Sequence, residues 1–268
     1  MGGGVGLVKA GGLPPFAEAF QAAGYAAITI DYLSFGGSEG VPRNVLDLDQ
    51  QLQDFRDVIT WVRGNSSFNN KKIVAWGSSL GAMSPTALIA QDHGLAAAIV
   101  QCAAVDGLLS ALQIPPWRSL PLTCIAVCDW IGSWFGMGPV YMTTANTGNS
   151  PFALLSAPDV PEGWARLMPQ DGREFVNKIS GRGMFSVLVH RPALHTGRSI
   201  KPYLSICTEY DTVASLKGAE AATRRAPLGE IVKVKGGHFD VYKGGISFDE
   251  NLKAQLEFLG RVVPLSKN

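Results

Sequence analysis

The sequence predicts an α/β fold: one large domain built on a mostly parallel sheet with helices on both faces. Short apolar runs alternate with amphipathic helical patterns, and each run ends in turn residues, as buried parallel strands do. The composition agrees, because 268 residues at 46% hydrophobic and 17% charged can bury a sizeable core.

Five runs are expected as strands: "YAAITIDY" (Tyr25–Tyr32), "KKIVAWG" (Lys71–Gly77), "LAAAIVQCA" (Leu95–Ala103), "KPYLSICTEYD" (Lys201–Asp211) and "GEIVKVKGG" (Gly229–Gly237). Between and after them lie helical patterns: "PPFAEAFQAAG" (Pro14–Gly24), "NVLDLDQQLQDFRDVITWVRG" (Asn44–Gly64), "LGAMSPTALIAQDHG" (Leu80–Gly94) and "FDENLKAQLEFLGRV" (Phe248–Val262). Gly24 and Gly94 stand where a helix end wants a left-handed residue. The rhythm breaks at residues 106–200, far more chain than a crossover helix requires. That interval holds "IPPW", the apolar stretch Leu122–Gly138 and four of the six tryptophans, Trp117, Trp130, Trp134 and Trp164. It reads as a helical lid over a pocket, so residues 1–105 and 201–268 form the core and 106–200 the lid. Trp117, Trp130 and Trp134 are the expected substrate-binding residues, and Cys124 with Cys128, on one helical face, is expected in the lid core.

Charge and cysteine usage exclude several classes. A formal net charge of +1 without a basic run gives no reason for a nucleic-acid partner. Four cysteines with no C-x-x-C pair and no histidine at zinc spacing point to buried free thiols in a reducing compartment, hence a cytoplasmic protein without a metal. The opening "MGGGVGLVKAGG" has no signal-peptide pattern, and the stretch from Leu122 is broken by Asp129 and glycines, so no membrane span is expected.

The chemistry centres on "GSSLG", Gly77–Gly81, which lies between an expected strand and an expected helix. That is the context in which a G-x-S-x-G serine sits on a strained turn with its hydroxyl exposed, and Ser79 is the candidate nucleophile. A serine hydroxyl needs a base, and the base needs a carboxylate to fix its tautomer. Of four histidines, His238 alone follows a strand directly, in "KGGHFDVY", at the sheet edge that carries Ser79. Asp211 ends the preceding strand at the same edge, with Glu209 and Asp106 as alternatives. Ser79, Asp211 and His238 then follow the chain order such sites use.

"GLVKAGGLPPFAEAFQAAGYAAITIDYLSFGGSEGVPRN", together with "AWGSSLGAM", "TEYDTV" and "GGHFDVYKG", resembles the α/β-hydrolase superfamily. The resemblance is greatest to its dienelactone-hydrolase-like, X-prolyl-peptidase-like and fungal polyketide acyl transferase members, and covers most of the chain outside the middle of the lid. It implies the α/β-hydrolase fold with the lid inserted before the acid-bearing strand. It also implies an oxyanion hole from two backbone N–H groups, mapping to Leu80 and to Val5 after Gly3–Gly4. Ala10 is the second-ranked alternative to Val5. The family's histidine is replaced by Gly3, and the strands that lead into this loop are expected to be missing.

The expected function is hydrolysis of an ester or thioester of an apolar or aromatic acyl group through an acyl-enzyme. An acyl (polyketide) transferase on the same three residues, or a truncated inactive binding protein of this fold, are the alternatives. C–C bond hydrolases that use the same residues also stay open. The glycines of "GGGVG" with Asp31 downstream also resemble a dinucleotide-binding turn, but Lys9 replaces its third glycine and Pro14–Pro15 delays the helix. No cofactor is expected. The expected partners are a small acyl substrate and, as a protein partner, a second copy in a homodimer.

Overall fold

The computed structural model describes residues 1–148, 150, 152–169 and 175–265; of the expected lid and core, positions 149, 151, 170–174 and 266–268 lie outside the described residues. In chain order the helices and strands are α1 (Pro14–Ala22), α2 (Leu48–Gly64), β1 (Val74–Ser78), α3 (Met83–Gln91), β2 (Ala97–Gln101), α4 (Gly107–Ala111), α5 (Pro116–Trp134), β3 (Tyr141–Thr143), α6 (Val160–Leu167), β4 (Lys178–Ser180), α7 (Gly183–Val189), β5 (Tyr203–Thr208), α8 (Leu216–Arg225), β6 (Gly229–Val234) and α9 (Phe248–Val262). The main sheet runs β1-β2-β5-β6 and every pair in it is parallel. Its two central strands, β2 and β5, are buried at every position, which is what covering helices on both sides require, while the edge strand β6 is largely exposed.

Local sequence explains the helix limits. Asp47 caps α2 by accepting the N–H groups of Asp49 and Gln50, so this helix starts four residues after the expected Asn44. Its buried stripe, Leu48, Gln51, Phe55, Ile59 and Val62, keeps helical spacing. On the other side, α9 buries Asn251 and Gln255, whose amides both donate to Gln101 Oε1, while Trp76 Nε1–H donates to Gln255 Oε1 at 2.6 Å. This satisfied polar network ties α9 to β1 and β2 beneath the serine turn.

Three expectations need correction. The run Tyr25–Tyr32 is not a strand: its pairing amounts to Ile30 N–H donating to Met1 O and the Met1 amine donating to Ile28 O. Gly2 pairs with Gly77, but the chain then turns at Gly4–Leu7, so no ladder extends along 25–32. Residues 106–200 are not purely helical, because β3 and β4 form a two-stranded antiparallel sheet among the helices. Cys124 and Cys128 share a face of α5 as expected, but it is the exposed face; the buried positions are Leu122, Ala126, Asp129 and Gly132.

Candidate active site

The turn after β1 is sterically determined. Ser79 has φ of 55°, a left-handed conformation that costs a non-glycine residue on the order of 1–3 kcal/mol. The glycines around it are obligatory: a Cβ on Gly77 would strike the carbonyl of Gly81, and a Cβ on Gly81 would strike the carbonyl of Gly3. Ser78 N–H donates to Gly2 O and Ala104 N–H donates to Ser79 O, which fixes both sides of the turn. A short 3-10 turn, Ser79–Ala82, leads into α3.

Two neighbouring strand ends supply the partners. His238 follows Gly236, itself at φ of 87°, and is buried with its ring edge-to-face on Phe239. Its Nε2 is 3.0 Å from Ser79 Oγ, and its Nδ1 is 2.9 and 3.0 Å from the two oxygens of Asp211. Asp211 Oδ1 also accepts the N–H groups of Val213 and Ala214, at 2.9 and 2.7 Å, and Oδ2 accepts the Thr208 hydroxyl. A carboxylate so held can only accept, so the proton between the two side chains sits on Nδ1 and leaves Nε2 to accept from Ser79. The geometry is that of a nucleophile, its base and the group that orients the base.

The alternatives lie elsewhere. Asp106 caps α4 and pairs with Arg191, Glu209 is exposed, and His190 is held by Ser186 O and Asp49. Asp31 accepts the N–H groups of Lys9 and Gly37, so it closes its own loop, and no strand leads through Gly2–Gly6 into a helix. This removes the structural basis of the dinucleotide-binding reading.

Ser79 opens into a cavity of about 850 Å³ whose walls come from the sheet edge and from residues 106–200. Val5 and Leu80 both line it, and a Cβ on Gly4 would already lie 3.4 Å from Ser79 Oγ, so the Gly3–Val5 segment passes directly beside the serine. Ala10 does not line it. Trp117 lines the cavity, but Trp130 and Trp134 stand outside it: they pack on each other at 4.2 Å between centroids, with Trp130 against Phe185, and both are exposed. Most of the wall is aliphatic, including Ile114, Leu122, Leu154, Leu155, Met184 and Val213. It also includes Arg118, which sequence reasoning missed. The signal was present, since Arg118 is the single charged residue between Asp106 and Asp129.

Among the described residues no cluster of His, Cys, Asp or Glu could hold a metal, and no helix is long and apolar enough to cross a membrane. Burial pushes the thiol of Cys102, beside Ser78 and Tyr242, up to about 12, which makes it a core residue rather than a second nucleophile.

Comparison with known proteins agrees with the fold. The family model for X-Pro dipeptidyl-peptidase (S15 family) matches residues 10–112. The chain is 35% identical over 266 residues to the quorum-quenching protein AidA of Acinetobacter baumannii (strain MDR-ZJ06), covering 99% of this chain and 86% of that one. It is 30% identical to the polyketide transferase grgF of Penicillium sp, over 93% of this chain and 82% of the relative. The crystal structure of the α/β hydrolase GrgF from Penicillium sp. sh18 superposes with a TM-score of 0.79 at 27% identity, covering 99% of this chain and 89% of that one. The parallel sheet, the similarity over nearly the whole chain and the matched fold together make this chain an enzyme of the α/β-hydrolase superfamily.

Proposed function

We propose that the protein is a serine hydrolase that cleaves an ester or thioester of an apolar acyl group through Ser79, His238 and Asp211. The observation that carries this reading is the continuous hydrogen-bonded line from Asp211 through His238 to Ser79, at 2.9 and 3.0 Å, opening into an apolar cavity. His238 Nε2 takes the Ser79 proton as Oγ attacks the substrate carbonyl, and Asp211 stabilises the imidazolium that forms. The Val5 and Leu80 N–H groups receive the oxyanion; loss of one such donor typically costs about 3–4 kcal/mol. His238 then protonates the leaving group, and water, activated by the same imidazole, releases the acid. Residues 106–200 act as the lid that closes the acyl pocket. A quorum-quenching relative over nearly the full chain fits degradation rather than synthesis.

Transfer of the acyl group to an alcohol is the second reading, favoured by the similarity to a polyketide transferase. Both share the acyl-enzyme and differ in what attacks it. Steady-state turnover of aryl esters and acyl thioesters of medium-chain acids, with and without an alcohol acceptor, tests both. The expected result is free acid as the main product with the acceptor present; predominant transfer product would support the second reading, and no turnover by folded protein would overturn both.

A further inference from the structure

The helix α5 is amphipathic in an inverted sense. Its buried positions include the ion-paired Asp129, while the exposed positions on its solvent side carry no charge. From Gly107 to Pro158 the charged residues are Arg118, tied to the carbonyls of Ala153 and Leu154, and Asp129, held by Arg182, so both are engaged on the inner side. On the solvent side Trp117, Leu120, Cys124, Val127, Ile131 and Trp134 follow one another at steps of three, four, three, four and three residues. All six are exposed, Trp117, Leu120 and Trp134 by 69%, 67% and 65%. That is the spacing of a seam that packs on another helix, and here it faces water. Pro121, inside α5, falls beside this row and not in it. A helix that served its own domain alone would turn such a row inward.

The apolar surface continues past the helix in Phe135 and Met137, both exposed. With the row it presents on the order of 900 Å², more than the roughly 300–600 Å² of the largest apolar patch on an ordinary monomer and close to the ~800 Å² each partner covers in a stable complex. The order of sizes reads the same in both directions: tryptophan at each end, Leu120 and Ile131 inside them, Cys124 and Val127 at the centre. A two-fold axis between Cys124 and Val127 therefore sets Trp117 of one copy against Trp134 of the other, Leu120 against Ile131 and Cys124 against Val127, as an isologous contact requires. Antiparallel helices also place their opposite dipole ends side by side. Interfacial helices on membranes carry Lys and Arg on their polar side, whereas α5 has no lysine and directs its one arginine to backbone carbonyls. We propose that α5 is a homodimer interface, packing antiparallel on α5 of a second copy about a two-fold axis near Cys124 and Val127. Leu122 and Ala126, on the opposite side of α5, line the cavity beside Ser79, so the same contact clamps one wall of that cavity. The pairing needs only the exposed face and does not depend on Ser79 being a nucleophile.

Size-exclusion chromatography with light scattering, at about 10 µM chain, should give twice the 28.5 kDa of one chain. Val127→Glu combined with Ile131→Glu sets like charges across the seam and should raise the dissociation constant at least about a hundredfold, so that this variant runs as a monomer with unchanged far-UV circular dichroism. A cross-link locates the contact without any charge variant. In the Cys128→Ser protein Cys124 is the one exposed thiol, since Cys102 and Cys207 are buried. Two Cys124 residues then stand about 4.5 Å apart along the helix axes, at about 1.5 Å per residue, across an interaxial distance of about 8–10 Å, within reach of a short bis-maleimide. A covalent dimer joined from Cys124 to Cys124, read by peptide mass spectrometry, is expected. A monomer at that concentration overturns the proposal, and a monomer that also binds phosphatidylcholine vesicles assigns the face to lipid instead. A dimer that persists in the folded charge variant, or that yields no link through Cys124, puts the contact elsewhere on the molecule and overturns it as well.

Discussion

At Asp211 two needs meet in one carboxylate. Its Oδ1 accepts the backbone N–H groups of Val213 and Ala214 while both oxygens face His238 Nδ1, so the turn after β5 and the imidazole are oriented by the same group. Asp211→Asn keeps an acceptor for the turn but offers an amide to Nδ1, which favours the wrong imidazole tautomer. The expected outcome is a kcat/KM for ester hydrolysis lower by a factor on the order of 10⁴, with thermal unfolding little changed. An activity within tenfold of the unmodified protein would show that Asp211 does not set the tautomer. That Ser79, Asp211 and His238 would meet was legible in the sequence because each is a residue of distinctive chemistry at a strand end. Arg118 was less legible: its place in the cavity wall follows from how α5 packs against residues 153–154, and no spacing rule encodes that packing. Trp130 and Trp134 misled for the opposite reason, since aromatic residues in an insertion suggest a pocket while helical phase decides which face they occupy.

Among the elements, α8 left the weakest trace. Its buried face is Gly218, Ala219, Ala222 and Thr223, which keep helical spacing but include no large apolar side chain, so no conspicuous stripe marks the helix. β3 and β4 span three residues each, too short for alternation to register. The element most dependent on a single side chain is α5. Asp129, fully buried on it, accepts from Val140 N–H and Arg182 Nη2 through Oδ1, and from Arg182 N–H and Nε through Oδ2. Burial disfavours its charge, but Arg182 and the two backbone donors outweigh that and hold its pKa below the usual aspartate value. The sign follows: a carboxyl with a lowered folded-state pKa stabilises in full above the ordinary value of about 3.9, and the contribution is lost as pH falls through the depressed one. Asp129→Ala should therefore cost about 3 kcal/mol in urea unfolding at neutral pH, since it leaves Arg182 unpartnered. The gap from the unmodified protein should narrow as pH falls below about 3.9. A gap unchanged with pH would mean that the cost is one of packing alone.

For the molecule as a whole, the parallel order β1-β2-β5-β6 is what turns three distant segments into one site. Parallel strands end at one edge of the sheet, so the turns after β1, β5 and β6 deliver Ser79, Asp211 and His238 to the same place, and residues 106–200 leave from the neighbouring strand to cover it. This arrangement was readable from alternating periodicity alone. The other side of the sheet was not: the apolar run 25–32 has strand composition, and composition is silent on whether a partner runs beside it. The central claim is that Ser79 is a nucleophile activated by His238, and covalent labelling by a fluorophosphonate, read by intact and peptide mass spectrometry, tests it most directly. One phosphonyl group per chain is expected, located on Ser79, absent in Ser79→Ala and at least a hundredfold slower in His238→Ala, within the range one general base contributes. Folded protein that takes up no label, or labels equally fast without His238, would contradict it.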